Sequence, residues 1–501
     1  MTGLLVNFRQ LFVLLSAVAV VMPALAPSTA EAAPRRDRGL EKRMMDHIET
    51  LASDEFMGRE PGTEGEAKTL QYLGKQWFDI GLISGTNDPG NEWFMPVTLV
   101  AREPDSSTAQ FTRGGRRVAV PEEEMLMLTS GKRSLVRNAP LFFVGKAEEA
   151  NFARNELAGR VAVMLDSGIA NSERQNALLS AGALGVMTVL DGDRTLAQVA
   201  ARRRRSGYAL ADDSLGGDLE GFITRAGMDA LLKPTRYSMA RLERYAKQSK
   251  FVPRLLGIRA SLEATTRETT IKTFNAIGKL PGRKPEAGAV LFVSHWDHFG
   301  TCAQPPAEDL ICNGAIDNAS GIAAMTEVAR KLARGTKLDR DVYFLATTAE
   351  ELGLLGAHAF AENPPIPLSR FVAAFNIDSI AIAPRGTPLA IVGRGMTGLD
   401  EEIEKVARRE QRRIVQSDEA NRFVRRQDGW ALLQHDIPAV MVTSAYGEVH
   451  RMEKFFDTHY HRPSDDLSLD IEIGGAAQDV QFLIELGRWF ADSEAYSPPS
   501  Q

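Results

Sequence analysis

Cysteine is almost absent: the 501-residue chain has only Cys302 and Cys312. No second pair exists to complete a thiolate zinc site. Two thiols ten residues apart read as disulfide partners in an oxidising compartment, ahead of two free thiols or metal ligation. Excess positive charge is missing too. With 59 Lys plus Arg against 65 Asp plus Glu, the net charge of −6 gives no global attraction to a phosphate backbone, so no nucleic-acid partner is expected. Long apolar runs are scarce, and none beyond the N-terminus approaches the roughly 20 residues needed to cross a bilayer. What is present is ordinary: 44% hydrophobic and 25% charged residues exclude a disordered or collagenous chain. Length alone suggests about three domain-sized units.

The first 32 residues read as a secretory signal. Arg9 precedes the apolar run Leu11 to Met22, Pro23 breaks it, and Ala30-Glu31-Ala32 suits signal peptidase. Cleavage after Ala32 leaves a mature protein in the periplasm or outside the cell, with no stable membrane insertion.

Apolar residues recur at helical spacing from Glu41 to Leu82, interrupted by the loop Gly58-Arg59-Glu60-Pro61-Gly62-Thr63. Strands are expected at Ala139 to Val144, Val161 to Leu165 and Gly185 to Leu190, with a helix at Arg174 to Ala181. Together they form an alternating β/α insert. Weakly apolar helices follow from about Gly227 to Lys250, and Thr273 to Leu280 resumes as a strand. The basic run Arg202 to Arg205 reads as a solvated helix end. Beyond it, Ala289 to Val293, Val342 to Ala346, Phe371 to Ile377 and Ala439 to Val442 are continuous apolar strands separated by helices such as Ile322 to Leu332. That pattern predicts an α/β fold with a mixed, largely parallel central sheet covered on both faces. Such sheets place chemistry at the carboxyl ends of their strands.

Those ends are polar. Ser294-His295-Trp296-Asp297-His298 follows the first strand, Glu350-Glu351-Leu352-Gly353 the second, and Asn376-Ile377-Asp378 closes the third. Between the first two lies Asn313-Gly314-Ala315-Ile316-Asp317-Asn318-Ala319-Ser320-Gly321, a loop opening onto a helix, and Tyr460-His461-Arg462-Pro463 comes late. Only eight histidines exist, and His295, His298, His459 and His461 fall in two of these clusters. Imidazole with carboxylate, and no thiolate, suits Zn²⁺ or a similar divalent ion.

The order His-x-Asp, Gly-x-x-Asp-Asn-x-Ser-Gly, Glu-Glu-x-Gly-Leu-x-Gly, Asn-x-Asp, Tyr-His resembles the co-catalytic dizinc exopeptidases, the bacterial leucyl aminopeptidases and glutamate carboxypeptidases. Gly58-Arg59-x-Pro61-Gly62 is similar to their N-terminal signature. Ala158-Gly159-Arg160-Val161-Ala162-Val163 and Ala181-Gly182-Ala183-Leu184-Gly185-Val186 resemble pieces of a protease-associated domain. The resemblance implies a catalytic domain over 36–135 and 265–495, interrupted by a protease-associated insert at 136–255. It implies two Zn²⁺ per chain, with His295 and Asp378 on one, Glu351 and His461 on the other, and Asp317 bridging them. Three carboxylates and a bridging hydroxide then balance the charge of both ions. It further implies that Asp297 accepts the other ring N–H of His295, that Glu350 is the general base, and that the Tyr460 hydroxyl stabilises the oxyanion.

The implied activity is removal of N-terminal residues from peptides, the α-amine held by carboxylates near Glu350 and Asp378. Carboxypeptidase or dipeptidase action is the nearest alternative. It would need a cation for a terminal carboxylate, for which Arg394, Arg422, Arg425 and Arg426 are candidates. A glutaminyl cyclase, typically a one-zinc relative, fits the five-ligand set less well. An inactive receptor-like protein on the same scaffold is the alternative outside enzymes. His298, His358 and His459 read as structural or exposed, and His47, His435 and His450 carry no motif. Gln427-Asp428-Gly429-Trp430 departs from the Ser-Asp-His of relatives, which leaves the substrate pocket open.

Overall fold

The computed structural model describes residues 36–498 apart from 88–89, 91–92, 148–151, 153, 167–170, 193, 206 and 213–217. The expected signal segment therefore lies outside the described residues. Leu40, Met44, Ile48 and Leu51 recur every three or four positions and are all buried, which makes Arg38–Leu51 an amphipathic helix. The Asp37 side chain caps it by accepting from the Leu40 N–H at 2.9 Å. A 3₁₀ turn, Asp54–Arg59, runs into the start of the expected loop at residues 58–63, and the helix Glu64–Ile80 follows it.

The central strands lie in the order Ala390–Val392, Ala439–Thr443, Phe371–Asn376, Ala289–His295, Asp341–Thr347, Arg254–Leu280. The middle pairings are parallel, and the first and last of the series are antiparallel. Strand residues alternate between two apolar layers. Val290, Phe292, Phe344 and Phe375 pack against the helices Ser320–Ala333 and Ile473–Ala491. Leu291, Val293, Tyr343 and Leu345 pack on the other side with Phe360 and Leu432, from the helices Leu355–Glu362 and Asp428–Gln434. Burial on both faces explains the uninterrupted apolar runs in the sequence.

Arg254–Leu280 is 27 residues long, far beyond the expected Thr273 to Leu280. It pairs along much of its length with the 20-residue strand Phe94–Arg113 and, at its start, with Arg133–Phe143. From Arg133–Phe143 the sheet continues in parallel through Val161–Leu165, Gly185–Val189 and Leu219–Ile223. Met125–Thr129, N-terminal to the expected insert boundary, closes that part of the sheet antiparallel to Leu219–Ile223. The expected 227–250 helical stretch is two helices, Arg225–Leu232 and Met239–Ala246. In the basic run, Arg203 pairs with Glu220 at 2.6 Å. Cys302 and Cys312 are joined in a disulfide.

Candidate metal centre

Parallel register sets the site. His295 ends its strand opposite Thr347, Glu350 and Glu351 follow Thr347 directly, and Asp378 lies just past the neighbouring strand Phe371–Asn376. Asp317 comes from the loop before the helix Ser320–Ala333, and His461 follows the helix Val449–Thr458. His461 is held in left-handed backbone, φ 58°, a conformation a non-glycine residue keeps only where its surroundings enforce it.

Asp317 faces two histidines at once. Its Oδ1 lies 3.3 Å from His295 Nε2 and its Oδ2 lies 3.4 Å from His461 Nε2. Asp378 Oδ1 is 3.5 Å from the same His295 nitrogen, and Glu351 Oε2 is 2.9 Å from the same His461 nitrogen. Ligand atoms of His295, Asp317 and Glu351 lie within 4.8 Å of one another, as do those of His295, Glu350 and Asp378. All six residues thus converge, and the ring of Tyr460 stacks on His461 with 3.5 Å between centres.

Asp297 is placed differently from the expectation. The His295 Nδ1 atom lies 3.2 Å from the Asp297 backbone carbonyl, whereas the carboxylate is 3.8 Å away. The carboxylate instead accepts the backbone N–H groups of Glu350 at 3.1 Å and Glu351 at 3.4 Å. Asp297 therefore anchors the loop that carries both glutamates, and its carbonyl faces the histidine.

Several positions to which the sequence motifs assigned no role hold the cluster in place. Asn318 ties three elements together. Its Nδ2 donates to Ser294 Oγ and to the carbonyls of His295 and Ile377, while its Oδ1 accepts from the N–H groups of Gly321 and Ser379. Gly321 is required there, because a Cβ would stand 2.5 Å from the Ile377 carbonyl and 2.7 Å from Ser294 Oγ. The buried Asp465 carboxylate accepts the N–H groups of Ile316 and Asp317 at 2.9 and 3.0 Å, fixing the backbone of the bridging residue. Arg59, 1% exposed, donates to the carbonyls of Leu51, Trp296, Asn313 and Gly314. Burial lowers its pKa to about 10, although Asp465, Asp317, Asp297 and Glu351 oppose that shift. Gly58, one residue earlier, lets this turn touch the disulfide hairpin, since a Cβ would lie 2.8 Å from Gly300 Cα.

His298 and Asp428 also belong to the site. His298 Nδ1 contacts Glu351 Oε1, and the Asp428 carboxylate accepts from Thr347 Oγ1. Gln427 caps the helix that begins at Asp428 by accepting from the Gly429 N–H at 3.0 Å. The only sequence signal for His298 was its place in a strand-end cluster, and Asp465 had none.

Charge is the dominant property of the pocket. Burial, with Glu351, Asp378 and Asp428 nearby, raises the Glu350 carboxyl well above the usual glutamate range despite the opposing His295. Burial pushes Asp428 up to about 6. Burial would also raise Asp317, but hydrogen bonds from His295 and His461 outweigh it and hold that carboxyl well below its usual value. Tyr460 is raised by burial and then by Asp317, Glu351 and Glu350. Carboxylates so crowded and so little solvated are stabilised by bound cations. Asp317 Oδ2 and His461 Nε2 are buried, close together and without a properly aligned hydrogen bond. Convergent donors of this kind fit a divalent ion between them.

Residues 275–482 match the family model described as Peptidase family M28. This segment is a Peptidase family M28 domain. It contains His295, Asp317, Glu350, Glu351, Asp378 and His461, and the enzyme class that follows is metallopeptidase. Among solved structures, the M28 domain and its surrounding chain are similar to an aminopeptidase from Aneurinibacillus sp. strain AM-1. The two are 19% identical, with 90% of this chain and 93% of that chain covered, at a TM-score of 0.55. BSAP, a zinc aminopeptidase from Bacillus subtilis, is 18% identical over 91% of this chain and 96% of its own, at 0.46. A peptidase M28 precursor from Shewanella amazonensis is 16% identical over 92% and 99%, at 0.43. No curated protein matches the chain. The Aneurinibacillus enzyme shares the α/β fold of this chain.

Proposed function

We propose that the protein is a secreted zinc exopeptidase, an aminopeptidase that removes residues from the N-termini of peptides, with two zinc ions and Glu350 as general base. The observation that carries this reading is Asp317 presenting one carboxylate oxygen to each of two histidines. His295 with Asp378 would hold one ion, Glu351 with His461 the other, and Asp317 would join them. When bound, the ions polarise a water molecule and the scissile carbonyl. Glu350, its proton affinity raised by burial, takes a proton from that water and returns it to the leaving amine. The Tyr460 hydroxyl donates to the carbonyl oxygen as negative charge develops there. Carboxylates around Glu350 and Asp378 hold the protonated α-amine of the substrate.

The part of the sheet from Arg133–Phe143 to Met125–Thr129 we read as a protease-associated domain. Secretion is supported by the Cys302–Cys312 disulfide, which suits an oxidising compartment. A chelation and metal-readdition assay tests the reading on amino acid p-nitroanilides and on N-acylated peptides, with zinc counted by mass spectrometry. Two zinc ions per chain and cleavage restricted to free amines are expected. Fewer than one tightly held zinc and no turnover would favour the receptor-like alternative.

A further inference from the structure

The four arginines weighed for a terminal carboxylate differ in what they already hold. Arg394 is engaged by Glu404 and Gln416, and Arg422 by Glu453 at 2.8 Å. Arg425 lies 5.2 Å from the ring centre of Trp430, two residues past Asp428. Arg426 is exposed and has no carboxylate within ion-pair distance among the described residues. Its guanidinium lies 4.4 Å from the ring centre of Phe456 and 5.1 Å from that of Tyr460. Tyr460 in turn stacks on His461 at 3.5 Å. The guanidinium is therefore separated from a metal-centre imidazole by no more than those last two spans. Its charge also reaches the hydroxyls of Tyr460 and Tyr446, both of which sense Asp317 and Glu350.

A guanidinium lying against aromatic rings keeps its N–H edge free for a bidentate carboxylate. An extended chain advances roughly 3.5 Å per residue. One or two residues beyond a bond cleaved at the metal centre thus bring a C-terminal carboxylate to Arg426. A centre so rich in carboxylates offers a peptide's terminal carboxylate little other attraction.

We infer that Arg426 binds the C-terminal carboxylate of short peptides, so that the preferred substrates are di- and tripeptides with a free C-terminus. This rests on the peptidase reading and adds to it the substrate's second end. Of the four arginines weighed from the sequence, Arg425 and Arg426 make no ion pair among the described residues, and Arg426 is the one whose guanidinium lies against Tyr460, beside the metal centre.

The test compares alanyl-alanine with alanyl-alanine amide, and trialanine with its amide, on the zinc-loaded protein and on Arg426→Gln and Arg426→Lys. For the unaltered protein, a free carboxylate is expected to raise kcat/KM by about 10-fold or more, mostly through KM, as for a bidentate charged pair. Arg426→Gln should bring the acid-to-amide ratio close to one, and Arg426→Lys should restore part of it. Zinc content and melting temperature establish that each variant is folded. A ratio near or below one in the unaltered protein overturns the inference even if the variants fail to fold. So does a ratio that survives Arg426→Gln. If a zinc-loaded protein cleaves neither acid nor amide, the peptidase reading itself falls and takes this inference with it.

Discussion

The Nδ1 atom of His298 lies 2.5 Å from Oε1 of Glu351, and the other oxygen of that carboxylate faces His461 at 2.9 Å. Both oxygens of Glu351 are thus committed, one to a buried imidazole and one to the metal centre. Such a partner fixes a ligand's rotamer and limits it to one donor atom. Removing an outer partner of this kind costs about 10–100-fold in metal affinity. His298→Ala is expected to weaken binding of the second zinc by that amount, read by competition with a chromogenic chelator. His298→Asn, whose amide takes the place of Nδ1, should recover most of it. Equal affinity in His298→Ala and the unaltered protein would show that the contact does not position Glu351.

Adjacent glutamates should separate cleanly. Glu350→Gln is expected to keep both zinc ions and lose about 10²–10⁴-fold in kcat, the usual contribution of a general base. Glu351→Ala should instead lose an ion. Zinc per chain and turnover measured on the same samples distinguish the two effects, and full activity in Glu350→Gln would remove it from its role.

Acid should act at a site far from the metal centre. Glu327 is buried between Arg43 and Arg330, each 2.7 Å away, with His47 at 3.5 Å. Burial opposes its ionisation, but these partners prevail and bring its pKa down from the ordinary 4.5 to about 2. A depressed folded-state pKa stabilises the fold above the unfolded value of 4.5 and loses that contribution as pH falls toward 2. After allowance for solvent screening, the contribution is about 1–2 kcal/mol at neutral pH. Denaturant unfolding of Glu327→Gln should show that deficit at pH 7. The deficit should shrink between pH 4.5 and pH 2, and one independent of pH would count against the ion-pair origin.

Legibility in the sequence followed burial. Val161–Leu165 was readable to the residue, and Ala289–His295, Asp341–Thr347 and Phe371–Asn376 nearly so, because apolar runs buried on both faces leave little choice of period. Most of Arg254–Leu280 was not. Its stretch Arg267-Glu268-Thr269-Thr270 is polar, and it is a strand because Phe94–Arg113 pairs with it, a long-range fact that local pattern does not contain. In the cluster, the convergence of His295, Glu351 and Asp378 was legible because topology forces strand ends together, whereas Asp317 and His461 were singled out by their motifs. Asp465 carried no signal, and the roles of His298 and Arg59 were not legible, since each acts through a hydrogen bond to something distant in sequence. Asp297 was assigned to the right neighbourhood, but its carboxylate turns toward the Glu350 and Glu351 amides.

The strand Arg254–Leu280 borders Arg133–Phe143 near one end and Asp341–Thr347 near the other. Near that second end, Asn275 accepts from the Thr348 N–H at 2.9 Å and donates to the Gly356 carbonyl at 2.8 Å, bracketing the turn that bears Glu350 and Glu351. The expected insert would therefore have no seam on this side: the same backbone beam that borders Arg133–Phe143 continues into the bracket of the turn that bears Glu350 and Glu351. Deleting 136–255 would remove the first two residues of Arg254–Leu280 and most of its partner Arg133–Phe143, so trimming the protein to a minimal peptidase means redesigning the strand's bared edge.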